Sequence, residues 1–153
     1  MTMIATMTPG HIRELMRYES ELFGPEAWSA DGYRDELADR RHRRYVVALD
    51  ETGRLLGWAG IRVLADEGEI LTVGVVPSTR RRGVARRLIA ALLEEARTRS
   101  VTEVFLEVRI DNEAARALYK SEGFEPIGLR RGYYEHGRVD AITMRKSLET
   151  ADG

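Results

Sequence analysis

The most distinctive spacing in the sequence belongs to five arginines at the junction between a loop and a helix, in the stretch STRRRGVARRLIAALLEEA (78–96). They are Arg80, Arg81, Arg82, Arg86 and Arg87. The start of a helix already carries unpaired backbone N–H groups and partial positive charge, so it disfavours cations unless an anion binds there. The small residues Gly83 and Ala85 would let phosphate oxygens approach those N–H groups closely. Two interpretations remain open: a solvated basic turn, or a site for a phosphate-bearing ligand.

Two other residues have side chains suited to proton transfer, one a carboxyl and one a phenol. Glu107 alternates with apolar residues along the predicted strand 102–108, so it lies on the opposite face of that strand. Tyr119 lies on the predicted helix 112–122, where a tyrosine most often packs in the core with its hydroxyl hydrogen-bonded. From the residues alone, Glu107 is either a rim carboxylate or a functional one, and Tyr119 is either a core residue or a functional one.

The composition excludes several other chemistries. The sequence has no cysteine, and its three histidines have no metal-ligand spacing, so we expect neither a thiol nucleophile nor a metal. It contains no Walker loop, nucleophile elbow or dinucleotide-binding fingerprint. The net charge of −1 gives no general attraction to nucleic acid, and neither a membrane span nor a signal peptide is evident. We expect a cytoplasmic monomer that binds neither nucleic acid nor membranes directly.

The elements that would position these residues follow in the order strand, two helices, three strands, helix, strand, helix, two strands. Thr8 followed by a proline starts the first helix, and Ser29 starts the second. Two apolar runs around a turn predict a hairpin over 44–63. The strands 69–76 and 102–108 are joined through a helix, so we expect them to be parallel.

This order predicts an α/β fold with a mixed, mostly antiparallel sheet, a central parallel strand pair and flanking helices. No linker or repeat interrupts the chain, so residues 1–153 are expected to form a single domain. We expect about 1–148 to be structured and 149–153 to be a C-terminal tail.

Several motifs together resemble the GNAT family of N-acetyltransferases. The stretch RRRGVA (80–85) matches the Arg/Gln-x-x-Gly-x-Gly/Ala signature of that family, with alanine at its last position where many members have glycine. Three further stretches look like the branch of ribosomal-protein N-terminal alanine acetyltransferases, the RimI branch. They are FGPEAWSADGYRDEL (23–37), LEVRIDNEAARALYKSEGF (106–124) and GLRRGYYEHGRVDAITM (128–144). The element order fits the GNAT fold over essentially the whole chain.

The resemblance implies acetyl-CoA as the acetyl donor and gives several residues a role toward it. Val73, Gly74 and Val75 would pair with the pantetheine arm through their backbone, as an added strand would. Asn112 would contact the cofactor near its thiol end. The residues expected to hold the pyrophosphate are Arg81, Arg82, Gly83, Val84, Ala85 and Arg86.

The resemblance also implies roles in catalysis and in binding of the acceptor. Glu107 would be the general base that takes a proton from the attacking amine, and Tyr119 the general acid that protonates the departing thiolate. The acceptor is expected to lie against Trp28, Tyr33, Arg131, Tyr133 and Tyr134.

The basicity of the possible acceptor amines indicates which class of amine the protein acetylates. A protein α-amine titrates near 8 and a lysine near 10.4, so neutral lysine costs about 3 kcal/mol more at pH 7. A single glutamate is therefore better matched to an N-terminal amine, and the resemblance implies the N-terminal alanine of a ribosomal protein. Two alternatives remain: a lysine or small-amine acetyltransferase on the same scaffold, and a non-catalytic acyl-CoA-binding sensor. The presence of both Glu107 and Tyr119 argues against the sensor.

Overall fold

A computed structural model describes residues 1–148 as one seven-stranded sheet with four α-helices packed against it. The predicted tail 149–153 lies outside the described residues. The strands are β1 (Met3–Thr6), β2 (Arg43–Leu49), β3 (Leu55–Leu64), β4 (Glu67–Val75), β5 (Glu103–Arg109), β6 (Glu125–Tyr134) and β7 (Val139–Ser147). The helices are α1 (Pro9–Phe23), α2 (Ala30–Ala38), α3 (Val84–Thr98) and α4 (Glu113–Ser121).

The helix starts follow the local sequence signals. Thr8 precedes α1 with Pro9 in the first turn, and the Ser29 hydroxyl caps α2 by accepting a hydrogen bond from the Gly32 N–H at 2.9 Å. The side-chain oxygen of Asn112 caps α4 by accepting from the Ala115 N–H at 3.1 Å. These caps fix where each helix leaves the sheet.

The strands are ordered β1-β2-β3-β4-β5-β7-β6, and every neighbouring pair is antiparallel except β4 and β5. The predicted α/β class, the mostly antiparallel sheet and its central parallel pair are therefore confirmed. Apolar residues fill both faces of the sheet, because successive side chains of a strand point in opposite directions. Residues of α3 and α4 contribute to one core cluster, and residues of α1 and α2 contribute to the other.

The two parallel strands pair over only part of their length. β4 pairs with β5 from Glu67 to Ile70, but it stays paired with β3 as far as Val75. The register between β3 and β4 shifts at Leu71, since Gly60 is opposite Thr72 while Ile61 is opposite Ile70. Among residues 1–148, the edge of β4 that faces β5 therefore has no strand partner beyond Ile70, and a cleft opens between the strands.

Candidate active site

A cavity of about 710 Å³ lies where β4 and β5 diverge. Its walls come from both strands, the end of α1 and the turn after it, α4, and the tip of the β6–β7 hairpin. The carboxylate of Glu26 in that turn accepts a hydrogen bond from the Glu135 N–H of the hairpin tip at 2.7 Å. This contact joins the two segments that lie on either side of the cavity. This part of the cavity wall is therefore held together by elements from both ends of the chain.

Glu107 lines this cavity from β5, and its carboxylate is held from the neighbouring strand. The Thr143 hydroxyl donates to Glu107 Oε2 at 2.6 Å, because Thr143 is directly opposite Glu107 in the β5–β7 ladder. Oε1 has a longer contact, 3.4 Å, with the guanidinium of Arg130. The side chain is 17% exposed, so the carboxylate is accessible while its orientation is fixed.

Tyr119 lines the same cavity from α4. Its ring packs edge-on against Phe124, with centroids 5.9 Å apart, and burial raises the pKa of its phenol to about 12. Within residues 1–148 its hydroxyl has no hydrogen-bond partner, and the residue is 9% exposed. The phenol is thus protonated at neutral pH and free to donate toward the cavity.

The unpaired edge of β4 is closely backed by a tryptophan. A Cβ atom on Gly74 would lie 2.7 Å from Trp58 Cζ2, so a larger residue would force the strand or the ring to move. Val73 lines the cavity, whereas Gly74 and Val75 continue the strand beyond it. The free N–H and C=O groups of this segment offer a hydrogen-bonding edge to an extended ligand.

The arginine-rich loop follows β4 and lies beyond the cavity wall. Within residues 1–148, the backbone N–H groups of residues 81–86 have no hydrogen-bond acceptor, since the first bond of α3 is from Arg87 to the Gly83 carbonyl at 3.2 Å. Arg81 and Gly83 have positive φ angles of 67° and 76°, a conformation that can turn successive N–H groups in one direction. The Arg86 guanidinium is in an ion pair with Glu122 at 2.6 Å.

The structure places the other predicted site residues in two groups. Asn112, Trp28, Tyr133 and Tyr134 line the cavity together with Glu107 and Tyr119. Tyr133 is 43% exposed and lies under the Arg130 guanidinium, whereas the Tyr134 hydroxyl donates to the Glu107 carbonyl at 3.2 Å. Arg131 is exposed, does not line the cavity and has no described contact that directs it there.

The prediction that Tyr33 contacts the acceptor needs correction. Its side chain is fully buried and does not line the cavity. Its hydroxyl donates to the carboxylate of Glu19 and accepts from the indole N–H of Trp58. The apolar face of α2 turns Tyr33 into the core, so any effect of Tyr33 on the acceptor acts through other residues.

Four carboxylates on the cavity wall were not predicted from the sequence. They are Glu19, Glu26, Glu69 and Glu135. Glu69 pairs with Arg62 at 2.8 Å, and Glu135 with Arg109 at 3.3 Å. Glu69 could have been found from its place at the start of the predicted strand 69–76, but no pattern marks a buried glutamate such as Glu19 within an amphipathic helix.

Two kinds of feature were not found in the described part of the chain. No group of three histidine, aspartate or glutamate side chains in residues 1–148 is arranged to hold a metal ion. Over the same residues, no helix is both long enough and apolar enough to cross a bilayer.

Comparison with known proteins defines the class first. The sequence model of the acetyltransferase (GNAT) family matches residues 12–124, and the chain belongs to this family. The protein is therefore an N-acetyltransferase of the GNAT fold, as the arginine-rich signature and the element order predicted.

Individual relatives place the chain in one branch of the family. It is 42% identical over 148 residues to the N-alpha-acetyltransferase RimI of Mycobacterium tuberculosis, covering 94% of this chain and 90% of the relative. It is 38% identical over 111 residues to the [ribosomal protein bS18]-alanine N-acetyltransferase of Escherichia coli, covering 71% and 75%. The crystal structure of the ribosomal-protein-S18-alanine N-acetyltransferase from Escherichia coli superposes with a TM-score of 0.86 at 29% identity, covering 99% of this chain and 96% of that one. The predicted resemblance to the RimI branch is confirmed.

Proposed function

We propose that this protein transfers the acetyl group of acetyl-CoA to the N-terminal α-amine of a protein. The observation that carries the proposal is the cavity between the diverging strands, whose wall bears an oriented carboxylate, Glu107, and a protonated phenol, Tyr119. The names of the relatives support a ribosomal protein that begins with alanine as the natural acceptor.

The acetyl donor would use the two features that follow one another along the chain. The free edge of β4 from Val73 to Val75 would hydrogen-bond the amides of the pantetheine arm, as an added strand does. The unbonded N–H groups of residues 81–86, with Arg81, Arg82 and Arg86 around them, would hold the pyrophosphate. Asn112 lines the same cavity as Tyr119 and would contact the donor at its thiol end.

The reaction is a direct acyl transfer. The neutral amine attacks the thioester carbonyl and forms the C–N bond; Glu107, directly or through a water molecule, takes the proton that the nitrogen must lose. The C–S bond then breaks, and the Tyr119 hydroxyl supplies the proton that converts the thiolate of coenzyme A into its thiol. The chain has no cysteine, so no acyl-cysteine intermediate forms on the chain.

The carboxylate-rich wall favours a cationic acceptor, since an amine arrives largely protonated and must lose that proton near Glu107. Glu26, Glu69 and Glu135 add negative charge to the same cavity, partly balanced by Arg62 and Arg109. This field raises the local concentration of an ammonium group without removing its proton. The lower basicity of an α-amine then favours a protein N-terminus over a lysine.

A peptide panel tests the acceptor class. With a peptide that begins with alanine, we expect turnover to rise with pH around the pKa of the free α-amine, about 8. A matched peptide with a blocked N-terminus and one lysine should react more slowly, with its rise displaced upward by about two pH units. Release of free thiol from acetyl-CoA measures both rates, and a polyamine completes the panel.

Equal rates on the two peptides across that pH range would contradict the N-terminal preference and favour the lysine or small-amine alternative. Binding of acetyl-CoA without thiol release on any acceptor would favour the non-catalytic sensor.

A double substitution tests the pyrophosphate site. Replacing Arg81 and Arg86 by alanine should weaken acetyl-CoA binding by about tenfold or more and flatten its dependence on salt, because charge-assisted hydrogen bonds to phosphate are lost. Calorimetry at low and high salt measures both effects. Arg97→Ala is the matched control, since Arg97 is exposed at the other end of α3. Unchanged acetyl-CoA affinity in the double variant would favour the alternative interpretation, in which the arginines form a solvated basic turn.

A further inference from the structure

Glu19 is a buried carboxylate for which the proposed reaction has no use. It lies on the inner face of α1, its side chain is 1% exposed, and it forms part of the cavity wall. Burying a carboxylate is costly unless hydrogen-bond donors surround it. Leucine or methionine at this position of an otherwise apolar helix face would carry no such desolvation cost. The hydrogen bonds of the carboxylate therefore indicate what it contributes to the structure.

Three hydrogen-bond donors form a network that ends at this carboxylate. The Trp58 indole N–H donates to the Tyr33 hydroxyl at 3.0 Å, and the Tyr33 hydroxyl donates to Glu19 Oε1 at 2.5 Å. The backbone N–H of Trp28 donates to Glu19 Oε2 at 2.9 Å. Two of these three hydrogen bonds reach the carboxylate, one at each oxygen, and the third fixes the Tyr33 hydroxyl from the side of Trp58.

The two ends of this hydrogen-bond network lie in different parts of the fold. Trp28 follows the turn Gly24–Glu26, which forms the wall near the β6–β7 hairpin. Trp58 lies on β3, and its ring packs directly against Gly74 on the free edge of β4. One carboxylate therefore joins the wall assigned to the acceptor with the strand assigned to the acetyl donor.

We propose that Glu19 is a positioning residue that sets the acceptor wall, residues 24–28, relative to β4. The proposal rests on the proposed function, since it concerns where the acceptor peptide binds. Glu19 does not contact the reacting atoms. Its loss should therefore raise the KM for the peptide while leaving both kcat and the affinity for acetyl-CoA close to those of the wild type.

The Glu19→Gln substitution tests this because it keeps the volume and changes only the hydrogen bonding. The amide has one acceptor oxygen and one NH2 group, so either the Trp28 N–H or the Tyr33 hydroxyl loses its acceptor. We expect the KM for an N-terminal alanine peptide to rise by up to about tenfold, the limit reached when the free energy of one lost hydrogen bond to a charged group is expressed wholly in peptide binding. Steady-state kinetics at saturating acetyl-CoA gives kcat and KM, and calorimetry gives the acetyl-CoA affinity.

Two further variants keep the test decisive. Glu21→Gln removes an exposed carboxylate two residues along the same helix and should behave as the wild type. Tyr33→Phe removes the hydrogen bond to Oε1 but leaves the Trp28 contact, so it should raise the peptide KM less than Glu19→Gln. If Glu19→Gln does not fold, the peptide KM of Tyr33→Phe tests the positioning role in its place.

An unchanged peptide KM in the folded variant would overturn the positioning role, as would equal losses in kcat and in acetyl-CoA affinity. These outcomes differ from failure of the proposed function, in which the wild-type protein itself would not acetylate the peptide.

Discussion

The Glu107→Gln variant should lose about 10²- to 10⁴-fold in kcat/KM for an N-terminal alanine peptide, the usual contribution of a general base. The amide fills the same space, and its oxygen can still accept the hydrogen bond from Thr143, but it cannot take a proton from the amine. Acetyl-CoA affinity should change little, because the substitution is neutral in volume and the arginine-rich loop does not line the cavity that Glu107 lines. Thiol release measures kcat/KM, and calorimetry measures the affinity.

Glu69→Gln is the matched control for this experiment. Glu69 lines the same cavity from the opposite strand, but Arg62 holds its carboxylate in an ion pair at 2.8 Å. We expect Glu69→Gln to lose only the part of kcat/KM that its charge adds by attracting the ammonium group, a few-fold at most, because its carboxylate takes no proton in the reaction. A large loss in Glu69→Gln with little change in Glu107→Gln would move the base from β5 to β4 and leave the acetyltransferase class intact.

The fold could be predicted from the sequence because its signals are local. Thr8 and Ser29 start helices where the sequence predicts them, and the alternation of apolar residues along 102–108 fixes which face of β5 bears Glu107. The parallel pairing of β4 with β5 followed from the helix that joins them.

The cleft itself could not be predicted in the same way. It depends on the register shift at Leu71 within the β3–β4 hairpin, and on the pairing of β4 with β5, which ends at Ile70. The second of these joins strands that are separated in sequence by α3. Residues 69–76 read as one uninterrupted strand, and nothing in their pattern indicates that the two parallel strands diverge halfway.

The errors in the candidate site have a related cause. Tyr33 was placed on the acceptor wall because it belongs to a stretch that resembles the family, yet its orientation is set by the packing of α2 against Trp58. Glu19 was missed because helical periodicity marks its position as an apolar one. Its partners are 9 and 14 residues away, so only the folded chain brings them together.

The Tyr119→Phe variant should lose kcat by about 10²- to 10⁴-fold while keeping its fold and its affinity for acetyl-CoA. Only the hydroxyl is removed; within residues 1–148 it has no hydrogen-bond partner, and the ring contact with Phe124 remains. Burial raises the pKa of Tyr119 to about 12, so the phenol keeps its proton at neutral pH. In the wild type, the rate should therefore not fall through loss of this proton below about pH 11.

Tyr133→Phe separates this role from a general effect of losing a hydroxyl in the cavity. Tyr133 lines the same cavity but is 43% exposed on the hairpin tip, so its hydroxyl is not expected to protonate the thiolate. Steady-state kinetics of both variants, with their melting temperatures, distinguishes a lost proton donor from lost packing. Wild-type turnover in Tyr119→Phe would show that Tyr119 is a core residue at the edge of the cavity, and the proton for the thiolate would then have to come from solvent.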